Sequence, residues 1–281
     1  MRKYTEFSKD DINGMNLDLK VGILGTVNPE GLPHLTLIST LQAGSTEQVI
    51  WGQFTEGLSK KYVYENPRTG FLVMTLDKEL WRGKATFTYT AKGGKEYEMY
   101  NNVPMFRYNA YFGVHTVYYM DLVEQYGRES LPMGKVVVAA IQSMMVKIIS
   151  NRNNDKKALN LWTQNLLNKL DNLKFISYIG NDGYPVVFPV IQAQALDSHR
   201  IVFATSAYKS ELGKIPEGGA IAILGMSFDM EDVVMRGIYC GLSRKLGVSY
   251  GMVEVDWVYN SMPPKPQQIY PPVSLEAVKD F

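Results

Sequence analysis

An apolar run, a four-residue turn and a second apolar run span Gly22 to Leu35, GILGTVNPEGLPHL, and the same grammar returns at Phe175 to Phe188, FISYIGNDGYPVVF. A hairpin fixes the register of its two strands, so a chain that writes it twice is constrained to build the surrounding sheet twice. Aligning Gly31 with Gly183 also aligns Pro33 with Pro185, and VIWGQF (Val49 to Phe54) with IVFATS (Ile201 to Ser206). Further on, WRGKA (Trp81 to Ala85) answers MRGIY (Met235 to Tyr239), and VYYMDLV ending at Val123 answers MVEVDWV ending at Val258. Four matches in one order read as a duplicated unit of roughly 100 residues, far longer than a solenoid repeat.

Within each copy the runs are short, β-branched and punctuated by Gly, Pro, Asn or Asp, which is strand and hairpin writing. Strands are expected at Leu35–Leu41, Gln48–Phe54, Phe71–Leu76 and Lys84–Thr90, and several such strands make a small barrel or sandwich. Between the copies the period changes. Ala158, Leu161, Trp162, Leu166, Leu167 and Leu170 recur at threes and fours, so a helix is expected over about 155–170, with Asp155 suiting its dipole. A second helix is expected near 134–150, with Met144-Met145 and the Trp162 stripe as helix core. Arg82 to Asp121 is 19 residues longer than Arg236 to Asp256, which places an insertion in copy one, rich in Tyr, Phe and Asn. The resulting division is 1–130 for copy one with its insertion near 96–114, 131–171 for a helical linker, and 172–281 for copy two. The tail, NSMPPKPQQIYPP, reads as extended and without regular structure.

A net charge near +1 gives no bulk attraction for nucleic acid or an anionic membrane. The single cysteine, Cys240, excludes an intrachain disulfide framework and a multi-cysteine metal site, and a reducing cytoplasm is expected. The N-terminus MRKYTEFSKDDING lacks the apolar core of a signal peptide. His34, His115 and His199 are too scattered for a metal site; His115 reads as a proton donor to a substrate or as a structural histidine.

The richest stretch chemically is WGQFTEGLSKKYVYENPRTGFLVMTL. Hydroxyls and paired lysines beside a helix N-terminus suit a phosphate monoester, because backbone N–H groups and the helix dipole favour the anion while ammonium groups neutralise it. The same string also reads as an N-capping Ser59 with solvated lysines. Arg82 beside Gly83 presents a fork for bidentate acceptors, or else a carboxylate pair next to a bulge.

The order of these elements, a TVNPEGLPHLTLIS hairpin, a VIWGQF strand, Ser-Lys-Lys running into Asn66-Pro67, TGFLVMTL and then WRGKA, resembles the pyridoxamine 5'-phosphate oxidase-like superfamily of FMN-binding split β-barrels. The resemblance covers nearly all of copy one and, more loosely, copy two. It implies a mainly β (α+β) fold of two tandem split barrels joined by a helical linker, with FMN as cofactor. It makes Ser59, Lys60 and Lys61 phosphate ligands, with Arg82 reaching the phosphate or the pyrimidine edge. Thr36, Ile38, Ser39, Gln53, Phe54 and Thr55 become the ring and ribityl contacts. Tyr108, Tyr111 and Phe112 either cap a flavin face or pack a lid. The implied activity is hydride or electron transfer to a small-molecule substrate or redox partner, with a non-catalytic flavin carrier, sensor or store as the alternative. Haem- and deazaflavin-binding split barrels also belong to this group. Relatives are usually homodimers with FMN at the interface, so a fused duplicate implies an internal pseudo-dimer, with a further homodimer left open. Copy two keeps Ser206, Lys209 and Ser210 but has neither Lys-Lys nor Asn-Pro, so one flavin site on copy one is expected.

Overall fold

The structure, a computed structural model, describes residues 2–103, 113–150, 156–229, 231–262 and 266–274. Tyr108, Tyr111, Phe112 and Asp155 lie outside the described residues. The chain is mainly β and forms two tandem antiparallel units of the split-barrel class. The first sheet comprises β1 (Lys20–Val27), β2 (Pro33–Leu37), β3 (Gln42–Ser45), β4 (Gln48–Gln53), β5 (Arg68–Thr75), β6 (Glu79–Ala91), β7 (Thr116–Gln125) and the short β8 (Glu129–Ser130). The second comprises β9 (Leu173–Ile179), β10 (Pro185–Pro189), β11 (Gln194–Ala195), β12 (Arg200–Ala204), β13 (Ala220–Met226), β14 (Asp232–Lys245), β15 (Val248–Asn260) and β16 (Gln267–Tyr270).

The strand orders are β2-β1-β5-β6-β7-β4-β3 and β10-β9-β13-β14-β15-β12-β11, the same path walked twice. Each of the four sequence matches falls on strands that occupy the same place in the two paths. The two hairpin turns also repeat bond for bond. Asn28 N–H donates to Leu32 and Gly31 N–H to Asn28, while Gly180 N–H donates to Tyr184 and Gly183 N–H to Gly180. Gly31 and Gly183 sit at φ 78° and 79°, a region closed to most side chains, which is why both turns carry glycine there.

Six helices are present among the described residues: α1 (Lys9–Met15), α2 (Leu58–Glu65), α3 (Lys95–Asn102), α4 (Met133–Ile149), α5 (Leu161–Asn168) and α6 (Lys209–Leu212). The insertion in copy one contributes α3. The expected helix over 155–170 is shorter, because Asn160 caps it with its side chain accepting from Thr163 N–H. Two expectations are corrected. Gln267–Tyr270 pairs with β15 rather than lying without structure, since QQIY is a proline-free window whose N–H groups can join a ladder. Met144 and Met145 are 42% and 44% exposed, so they are not helix core.

By contacts the chain divides into Met1–Leu131 with Ile179–Val187, and Pro132–Tyr178 with Phe188–Phe281. The first unit is filled by Phe71, Trp81, Leu24 and Trp51, the last stacked on Tyr118 at 3.8 Å between ring centroids. Its polar anchor is Lys84, whose ammonium donates to Asp182 at 2.7 Å and pairs with Glu124 at 3.0 Å. Burial acts to raise the pKa of Glu124, but Lys3, Lys84 and Tyr126 overcome it and hold the carboxyl at about 2. A carboxylate with a depressed folded pKa stabilises above its unfolded value and loses that contribution as pH falls through the folded one. The first unit is therefore expected to lose stability as pH falls from about 5 to about 2, and Glu124→Gln to flatten that slope in acid titrations followed by denaturant melts.

Candidate functional site

Helix α2 begins at Gly57, whose extended backbone offers no side-chain cap, and its first turn carries no acidic residue. The leading N–H groups of α2 are thus left to solvent or a ligand. The Lys60 side chain folds back over this helix start, its Nζ 3.3 Å from where a Cβ on Gly57 would stand. Lys60 is 8% exposed, and among the described residues no hydrogen bond or ion pair engages its ammonium. Burial lowers its pKa, with the charge of Glu56 opposing the shift. An ammonium on a largely buried side chain at an uncapped helix N-terminus suits an anion, which it and the helix dipole both favour.

Beneath it, the fully buried Ser59 hydroxyl shares hydrogen bonds with Thr36 Oγ1 at 2.5 Å and Thr26 Oγ1 at 3.4 Å. Thr36 is carried there by the β1–β2 register that sets it opposite Leu24. On the other side, Gln53 at the end of β4 accepts from Tyr118 OH at 3.0 Å and donates to Glu56 at 3.1 Å. This link holds Glu56 at the mouth of a cleft of about 600 Å³, lined by Gln53, Phe54, Tyr97, Asn101 and His115. His115 is exposed, and Thr116 Oγ1 bonds its Nδ1 at 2.8 Å. Asn101 is pinned by donating to Tyr97 and Val114 carbonyls.

The structure brings Thr36 and Ser59 into contact and joins Gln53 through Glu56 to the start of α2. Phe54 lines the cleft half-buried, while Thr55 and Lys61 are exposed beside it. Ile38 packs into the barrel core, and Ser39 is half-buried next to it. Arg82 is set apart. It lies on β6, two strands beyond β1, and its fork is bidentate on Glu129 at 2.9 and 3.0 Å. Gly83 serves the sheet: a Cβ there would stand 2.1 Å from the Glu124 carbonyl, as one at Gly237 would from Glu254. The recurring Arg-Gly pair therefore marks a close strand crossing. Sequence reasoning missed Glu56, Tyr97 and Asn101, polar and aromatic residues that only the fold assembles.

Copy two is built differently at the matching place. Its α6 has four residues, and Tyr208 stands before it at φ 54°. Helix α4 packs on β12, with Ser143 Oγ accepting from Ala204 N–H and Gln142 Oε1 accepting from Ser206 Oγ. At the offset that relates Gly31 to Gly183, Ala204 and Ser206 correspond to Gly52 and Phe54. The position flanking the cleft in copy one is thus occupied by α4 in copy two.

No family model matches the chain, and no curated protein matches it. Among solved structures, it resembles an FMN-binding protein from Syntrophomonas wolfei at 18% identity and TM-score 0.35, over 44% of this chain and 84% of that one. It also resembles a candidate pyridoxamine 5'-phosphate oxidase from Lactobacillus delbrueckii (12%, TM-score 0.35, 45% of this chain and 100% of that one). A FAD-binding protein from Mesorhizobium loti resembles it at 12% identity and TM-score 0.31, over 46% and 100% of the two chains.

Proposed function

We propose that the first unit binds FMN and that the chain is an FMN-dependent oxidoreductase acting on a small molecule. The observation that carries this reading is the largely buried Lys60, its Nζ brought over the uncapped start of α2. The donor set fits a phosphate monoester: Lys60 supplies charge, Lys61 a second cation, and the first N–H groups of α2 the directed hydrogen bonds. Ser59, bonded to Thr36 and Thr26, holds that turn against the sheet. When bound, the flavin supplies hydride or electron transfer.

The adjoining cleft supports a place for the small molecule. Phe54 and Tyr97 give it apolar walls, while Gln53, Asn101 and Glu56 give it polar ones. His115, exposed and with its Nδ1 bonded to Thr116 Oγ1, adds an imidazole able to give or take a proton. Filling of the matching position in copy two by α4 supports one flavin per chain. The test is a titration of the purified chain with FMN followed by flavin fluorescence. Saturation at one equivalent is expected; no binding, or two equivalents, would refute the assignment.

A further inference from the structure

Helix α4 runs for 17 residues without an acidic side chain. It buries Val136, Ala139, Ser143 and Val146, and Ser143 Oγ receives the Ala204 N–H of β12. Its opposite side exposes Val137, Val138, Ile141, Met144, Met145 and Ile148, each between 42% and 73%. These positions recur at the helical period, so they form one continuous stripe about 16 Å long. A stripe of this kind on the solvent side of a helix marks an interface.

The stripe is symmetric about Ile141. Read outward in both directions, Val138 answers Met144, Val137 answers Met145 and Gly134 answers Ile148. Two such helices laid antiparallel across a two-fold axis at Ile141 place each apolar side chain opposite another, with the small Gly134 facing the most exposed residue, Ile148. That is the self-complementarity an isologous contact requires. Fully covered, the six residues would bury about 540 Å² per copy and about 1,100 Å² in the pair, just above the roughly 1,000 Å² floor for a specific interface. Leu246, at the β14–β15 tip, extends the surface: it is 75% exposed, and neighbouring Lys245 donates to the Ile149 carbonyl at 2.7 Å.

We infer that the chain forms a homodimer through antiparallel packing of α4 on α4 of a second copy, with Ile141 on the dyad. Lys135 and Lys147 lie about 120° round the helix from Ile141 on opposite flanks, so the contact is apolar and association does not weaken as ionic strength rises. A surface that recognised anionic lipid through the same lysines would weaken with salt instead.

Sedimentation velocity of the full chain at tens of micromolar is expected to show twice the 31.7 kDa chain mass, with association no weaker in high salt. Ile141→Glu, which sets two carboxylates against each other on the dyad, is expected to weaken association by about 100-fold or more. Its far-UV circular dichroism should not change, since Ile141 is 55% exposed. Ile141→Cys in a Cys240→Ser background is expected to form a symmetric disulfide dimer on mild oxidation. A monomeric wild-type chain in both salts, a dimer that survives Ile141→Glu, or failure of the Ile141→Cys cross-link would each overturn the proposal. So would a monomer that sediments with phosphatidylserine-containing vesicles through this face.

Discussion

Replacing Lys60 with Met is expected to weaken FMN binding by about 10–100-fold while leaving riboflavin binding unchanged, because a charge-assisted bond to phosphate is worth about 1.5–3 kcal/mol. The same substitution should raise the stability of the flavin-free protein. Burial pushes the Lys60 pKa below its ordinary value, so the unfolded chain holds its proton more tightly than the folded one. Between the folded pKa and the unfolded value of 10.5, stability of the flavin-free chain therefore rises with pH, and Met removes that dependence. Denaturant melts at pH 7 and pH 10, paired with flavin titrations, read both effects. A Lys60→Met chain that is less stable at pH 7 and binds FMN as before would mean that the ammonium is structural.

The second large effect belongs to the sheet. Gly83→Ala is expected to destabilise the first unit by about 3 kcal/mol or more, because its Cβ would stand 2.1 Å from the Glu124 carbonyl, a backbone atom that cannot rotate away. Gly237→Ala should act on the second unit to a similar extent, since its Cβ would meet the Glu254 carbonyl at the same 2.1 Å. Calorimetric melts of the two variants check this. Equal stability with the parent chain would show that the strand crossing opens at no cost and that the shared Arg-Gly string has another reason.

Much of the architecture was legible because strand grammar is local. The turn glycines Gly31 and Gly183, the β-branched runs and the ordered echoes are visible in any window of the sequence, and each lies on an equivalent strand. The helix near 134–150 was also legible from its apolar period. Which of its faces points inward was not, because Met144-Met145 and Val136 look alike until β12 is placed against one side. Arg82 shows the same limit. Its fork suits a phosphate as well as a carboxylate, and only the β6–β8 pairing, which brings Glu129 beside it, decides the partner. The reading of Ser-Lys-Lys as a possible anion site drew on a local signal, the helix start. What the sequence could not separate was Lys60 from Lys61: adjacent lysines are chemically identical, and the helical turn buries one and exposes the other. Glu56, Tyr97, Asn101 and His115 come from three separate segments, so no local pattern announces their cleft.

The central claim is that a phosphate monoester is held at the start of α2. Isothermal titration of the purified chain with FMN and riboflavin side by side tests it most directly. The account predicts one FMN per chain, bound about 100-fold or more tightly than riboflavin, since the two ligands differ only in the phosphate that Lys60 and the α2 N–H groups would receive. Equal affinities for the two, or no binding of FMN, would contradict it.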